Sequence, residues 1–218
     1  MALGFMAIVY ILRIRWLLSF RAARDRQAKS GGPDTSIFKG IVYSWANVAM
    51  PRSMESTRLM PFFYIQFVIF HLAVIANIAM SFVIPYAPGL ITSQIVVRLL
   101  QLLFATACAI GCYRLYRRIS NPTIRLISTP DDYFSLGLLT VWCFASIFAA
   151  PNRPDLGEGP LMTYFIMTAF FLIYVPFSKI SHYLYYPFTR FYFGRTMGHR
   201  GVYPIKRISQ PKDVAAKG

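Results

Sequence analysis

Five stretches of the chain are apolar almost without interruption, and short polar or basic segments separate them. The first covers about residues 2–20, continuing past Arg13 and Arg15; the others cover about 61–84, 90–113, 133–149 and 161–187. A helix needs roughly 20 apolar residues to cross a bilayer, and these runs are near that length. In lipid, only helices and closed barrels satisfy every backbone N–H and C=O. No run alternates with period two over a sustained stretch, which argues against a barrel. The expected fold is an all-α integral membrane protein, a bundle of five transmembrane helices. The first run is short enough to lie in the interface instead. Its charges follow the apolar core, whereas a cleaved leader places them before it.

The connections are of two kinds. Pro85-Tyr86-Ala87-Pro88-Gly89 and Pro151 to Pro160 are compact and nearly free of basic residues. Residues 21–60 form the longest polar connection: Arg21 to Lys29 has a basic, helical pattern, Ser30-Gly31-Gly32-Pro33 breaks it, and Ile37 to Val48 carries Phe38, Ile41, Val42, Tyr43 and Trp45. Long connections in compact chains are usually functional or disordered. This one is expected to dock a partner or lie on the membrane surface. Thr129-Pro130-Asp131-Asp132 reads as a helix start, with a capping hydroxyl, a proline in the first turn and acids at the positive end of the dipole.

Composition agrees with this pattern. The chain of 218 residues is 56% hydrophobic and 14% charged, where charged residues approach a quarter of a soluble domain. The net charge of +15 raises the question of nucleic acid, but the basic residues flank apolar spans, so no nucleic-acid partner is expected. Residues 13–60, 114–132 and 188–218 hold nine, four and seven Lys/Arg, twenty in all, against Arg153 alone in the opposite loops. By the positive-inside rule the N-terminus is outside and the C-terminus cytoplasmic. Cys108, Cys112 and Cys143 fall within spans with no CxxC or zinc spacing, and read as small packing residues.

Two of the three histidines lie in predicted spans. His71 is in the inner half of helix two, and His182 is near the inner end of helix five. These helices run antiparallel, so two neutral imidazoles can reach the two faces of one porphyrin. Bis-histidine ligation saturates the iron and leaves a carrier of electrons, not a binder of oxygen. Counted along continuous helices, His71 is about 16 Å deep and His182 about 8 Å; extension of helix five through Tyr192-Phe193 would bring them level. Pro176 removes a backbone donor and is expected to bend helix five just ahead of His182. The alternative is that each histidine is a polar packing or proton-relay group, since ionisable groups inside a membrane are costly and default to some function.

Pro176-Phe177-Ser178-Lys179-x-x-His182 followed by Pro187, Phe70-His71 early in helix two, the loop ending Ser128-Thr129-Pro130-Asp131-Asp132, and Arg195-x-x-x-x-Arg200-Gly201 form a pattern. It resembles that of the respiratory nitrate reductase gamma-subunit family of b-type cytochromes, which includes membrane anchors of sulphite-reduction-associated and heterodisulfide-reductase-like complexes. The resemblance implies a transmembrane cytochrome b domain over residues 1–190 and a basic cytoplasmic tail over 191–218, in a bacterial or archaeal inner membrane. It implies a subunit of a respiratory oxidoreductase, not catalytic alone, passing electrons between membrane quinone and a cytoplasmic iron–sulfur partner.

The positions that hold the second ligand pair of two-haem members are Ser81 and Tyr164 here, so one haem b is expected, on His71 and His182. Arg98 is a candidate partner for a haem propionate or a quinone carbonyl. Lys179, at i−3 from His182, is a second propionate candidate. Snorkelling to the interface is the simpler account of both cations. His199 reads as a surface residue of the tail, Tyr183 to Phe193 as an interfacial aromatic belt, and the basic tail as attracted to anionic lipid. The function from a different class is a non-haem membrane scaffold or small transporter with intramembrane histidines.

Overall fold

The end of an apolar run is not the end of a helix, and the elements show this where basic residues follow a span. The computed structural model describes residues 1–20, 25–30, 35–50 and 59–205, which hold helices and no strand. They are α1 (Ala2–Ser19), α2 (Ile37–Ala46), α3 (Pro61–Tyr86), α4 (Gln94–Ser120), α5 (Pro122–Leu126), α6 (Pro130–Ala149), α7 (Gly159–Tyr174) and α8 (His182–His199). Five segments are long and apolar enough to cross a membrane: α1, α3, α4, α6 and Gly159–Phe177. The chain is a multi-pass, all-helical membrane protein.

Two expected boundaries move, both of them in the third span, and the helix start read at Thr129 to Asp132 holds. The third span starts later than residue 90, because Pro88–Ile91 forms a separate 3₁₀ turn. It also runs beyond 113 to Ser120: Arg114 to Arg118 end the apolar run but not the helix, which stops where Asn121 precedes Pro122 and turns extended, as a pre-proline residue does. The fourth begins at Pro130, capped by Thr129, whose backbone N–H donates to the Asp132 carboxylate at 2.8 Å.

The fifth span, expected as one helix over 161–187, is interrupted. After α7 come a 3₁₀ turn at Val175–Phe177, an extended Ser178 (φ −102°, ψ 169°), and a second 3₁₀ turn at Lys179–Ser181. Pro176 contributes no N–H, and the chain breaks where a bend was expected. The expected basic helix at 21–29 is not helical over its described part, 25–29, and residues 21–24 lie outside the described residues.

The chain divides into two compact units, Met1–Ser19 with Leu59–His182, and Phe20–Arg58 with Tyr183–Gly218. In the first unit α4 packs against α3 and α6, α6 against α7, and α7 against α1. Lipid offers no hydrophobic drive to associate, so close packing of small residues holds such bundles. Gly111 of α4 lies against Thr140 of α6, where a Cβ would collide with the threonine side chain. Phe104, Ala107, Trp142, Cys143 and Tyr164 form the core, while Leu72, Ile75, Leu99, Leu102, Phe144 and Ile166 face outward.

The second unit shows that part of the expected tail is folded. In α8, Gly194 and Gly198 pack against Gly40 of α2, a Cβ on Gly40 falling 2.6 Å from the Gly194 carbonyl oxygen. Trp45 Nε1 donates to the Pro187 carbonyl at 3.0 Å, and Arg200 pairs with Asp25 at 2.9 Å. His199, expected at the surface, is half-buried with Nε2 2.8 Å from the Gln27 carbonyl oxygen. The remainder of that tail, 206–218, lies outside the described residues.

Candidate functional site

His71 occupies the third turn of α3, with Phe67 one turn before it. Its Nδ1 lies 2.8 Å from the Phe67 carbonyl oxygen, and the two rings are in contact with centres 4.0 Å apart. His182 opens α8, directly after the interrupted segment, and its Nδ1 lies 3.0 Å from the Lys179 carbonyl oxygen. A carbonyl can only accept, so each Nδ1 carries the proton. Each Nε2 is then left with its lone pair. This is the arrangement in which a histidine is held ready to ligate a metal, its other nitrogen donating to a fixed acceptor.

The two imidazoles are neighbours. Their centres are 6.4 Å apart and their planes are inclined at 76°. An imidazole nitrogen stands about 2 Å from a first-row metal ion, so two rings on opposite sides of one ion have their centres about 6 Å apart. The observed spacing fits that requirement. The depth counted for His182 along a continuous fifth helix does not apply, because that helix ends at Tyr174 and two 3₁₀ turns lead from it to His182.

Among the described residues, no cluster of three or more His, Cys, Asp or Glu is placed to hold a metal. A closed zinc site takes four protein ligands. Two imidazoles alone suit an ion whose equatorial donors come with it, as in a porphyrin.

The cations near this site are not all the expected ones. The first turns of α3 lie beside the last turns of α4: the Arg117 guanidinium is 4.2 Å from the Phe63 ring centre, and that of Arg114 is 5.9 Å from Phe70. Both arginines were counted in the sequence as loop charges, and only the continuation of α4 past Tyr113 brings them here. Lys179 is close in sequence to His182, but its Nζ is 2.8 Å from both the Asp132 carboxylate and the Thr129 hydroxyl. Arg98 donates to Gln101 at 3.4 Å, and Gln101 donates to the Ile147 carbonyl at 3.0 Å. Arg98 is sixteen residues before Arg114 on the same helix, about 24 Å away along the axis. The structure does not bring it to the histidine pair.

Tyr164 belongs to a packed interior, whereas Ser81 is half-buried and donates its hydroxyl to the Ile78 carbonyl at 2.7 Å. Tyr164 is fully buried and donates its hydroxyl to the Asn77 carbonyl at 2.6 Å. Its ring stacks at 6.2 Å on Trp142, whose Nε1 donates to the Thr168 hydroxyl at 3.1 Å. Asn77, also fully buried, reaches Cys143 Sγ at 3.6 Å. Side chains fill this level of the bundle, two turns further along α3 from His71.

No known protein family, curated protein or solved structure matches the chain.

Proposed function

We propose that this protein is a mono-haem cytochrome b membrane subunit, passing electrons between membrane quinone and a cytoplasmic iron–sulfur partner within a respiratory oxidoreductase. The observation that carries the reading is the pair of imidazoles, 6.4 Å apart with each Nδ1 on a backbone carbonyl. His71 and His182 would hold the haem iron through Nε2. A haem so ligated supplies a one-electron centre with no open position for oxygen.

The chain's own residues set the environment of that centre. The carbonyls of Phe67 and Lys179 fix both ring tautomers, and the Phe67 ring covers one side of His71. Arg114, beside Phe70 on the neighbouring helix, is the cation that would meet a propionate, since Lys179, expected in that role, is engaged with Asp132. One haem per chain is the stoichiometry of this reading: Ser81 and Tyr164 stand where two-haem members hold their second ligand pair, and Tyr164 is buried with its hydroxyl on the Asn77 carbonyl. The uneven distribution of Lys and Arg in the sequence supports an N-terminus outside and a C-terminus in the cytoplasm. The family resemblance of the sequence supports quinone and the iron–sulfur partner.

The test is an absorption spectrum of the purified protein before and after dithionite, with haem counted per chain. One reducible b-type haem is expected, lost in both His71→Ala and His182→Ala. A protein with no reducible haem bands would be a scaffold or small transporter whose histidines pack or relay protons. Two haems per chain would contradict the assigned stoichiometry.

A further inference from the structure

The break ahead of His182 is held from another helix. Ser178 is extended, so the N–H groups that follow it lack the partners a continuous helix would give them. Ser178 Oγ accepts from Ile180 N–H at 3.2 Å. Asp131 of α6, far away in sequence, accepts from Lys179 N–H through Oδ2 at 3.0 Å. Asp131 Oδ1 accepts in turn from the hydroxyls of Tyr174 and Ser135. Asp132 takes the side chain of the same lysine: its Oδ2 lies 2.8 Å from Lys179 Nζ. Lys179 is thus gripped at its amide and its ammonium, while its carbonyl accepts from His182 Nδ1 at 3.0 Å.

We propose that Asp131 is a positioning residue for His182, acting through the backbone of Lys179, with Asp132 in a lesser role. It sets the place of the carbonyl that orients the imidazole and fixes its tautomer. The proposal rests on the haem reading above and goes beyond it. It also assigns a physical cause to the meeting of two separate stretches, Thr129-Pro130-Asp131-Asp132 and Ser178-Lys179-x-x-His182.

The two acids are unequal. Lys179 and Asp132 form an ion pair whose lysine side chain is 57% exposed, and pairs so exposed contribute little. The bond from Lys179 N–H to Asp131 is charge-assisted and acts on the peptide itself, without a long flexible side chain between. Asp131 should therefore dominate.

The experiment compares wild type with Asp131→Ala, Lys179→Pro, Lys179→Met and Tyr174→Phe, all as full-length protein. Lys179→Pro removes the amide donor at the first position of a turn, after an extended Ser178, where proline is tolerated. Lys179→Met removes only the ammonium. The readouts are haem affinity, the g-values of the oxidised low-spin signal and the midpoint potential, none of which needs turnover.

Asp131→Ala and Lys179→Pro are expected to weaken haem binding about 10- to 100-fold, as loss of an orienting group behind a histidine ligand does. Both should shift the g-values and the potential, and together have no more effect than either alone. Lys179→Met and Tyr174→Phe should stay near wild type. If Asp131→Ala does not accumulate, Lys179→Pro carries the test by itself. Both variants keeping wild-type g-values, potential and haem affinity, even with lower thermal stability, would reduce Asp131 to a staple and overturn the proposal. A wild type without haem would overturn the underlying reading, and this one with it.

Discussion

At the scale of single residues, what separates a ligand from a packing group is where its polar atoms are spent. The polar atoms of Tyr164 and Trp142 are satisfied by neighbours inside the bundle, Asn77 and Thr168 respectively. Each histidine of the pair spends only Nδ1, on a carbonyl of its own segment. This gives a prediction for the filled level of the bundle. Tyr164→Phe deletes one hydrogen bond whose acceptor, the Asn77 carbonyl, also belongs to a helix. Thermal unfolding in detergent should show a loss of about 0.5–1.5 kcal/mol, while the haem spectrum and stoichiometry stay unchanged. A spectral change would mean that Tyr164 borders the haem. His71 and His182 were legible as a pair because ionisable residues are so rare in these spans. The partner of Lys179 was not: nothing local to Ser178-Lys179 indicates that Asp131 and Asp132 meet it.

At the scale of elements, apolar runs located the spans but not their ends. A hydropathy pattern stops at Arg114, whereas the α4 backbone goes on to Ser120, and those extra turns bring Arg114 and Arg117 to the start of α3. The same pattern runs unbroken across Val175 to Ser181, where the backbone is interrupted. Pro176 marked the place, but the extent of the break depends on groups that come from α6. Close contact between elements is equally a matter of tertiary structure. Gly111 touches Thr140, and no spacing in either helix announces it. Gly111→Ala should push α4 from α6 and cost about 1–3 kcal/mol, as overpacking does. Thr140→Ala in the same chain removes the colliding atoms and should recover most of that loss. Unfolding curves of the two single variants and the double variant measure it, and additive losses would mean that the two sites do not touch.

At the scale of the whole molecule, the sequence was legible as a membrane bundle with basic connections, but not as two units. Residues 191–218 read as a tail because they are basic and close to the C-terminus. Gly194-x-x-x-Gly198 was the available signal that they pack, and it goes unnoticed when weight is put on charge alone. Within the first unit one end carries Arg114, Arg117 and Lys179, and the histidine pair lies toward it. At the opposite end, the start of α4 meets the end of α6 through Gln101 and Ile147. Arg153 follows α6 and is paired with Asp155 at 2.7 Å, so the basic residue in that connection is already matched by an acid. A membrane that retains positive loops on its cytoplasmic side therefore has one favourable orientation for this bundle. The check is a single cysteine at Glu158 or at Lys39, in a chain whose three native cysteines are replaced. With a membrane-impermeant maleimide, intact cells stripped of their outer envelope should label Glu158→Cys, and Lys39→Cys only after permeabilisation. The reverse pattern would put the histidine pair on the outer side, out of reach of the proposed cytoplasmic iron–sulfur partner, and the proposed electron transfer to or from that partner would go with it.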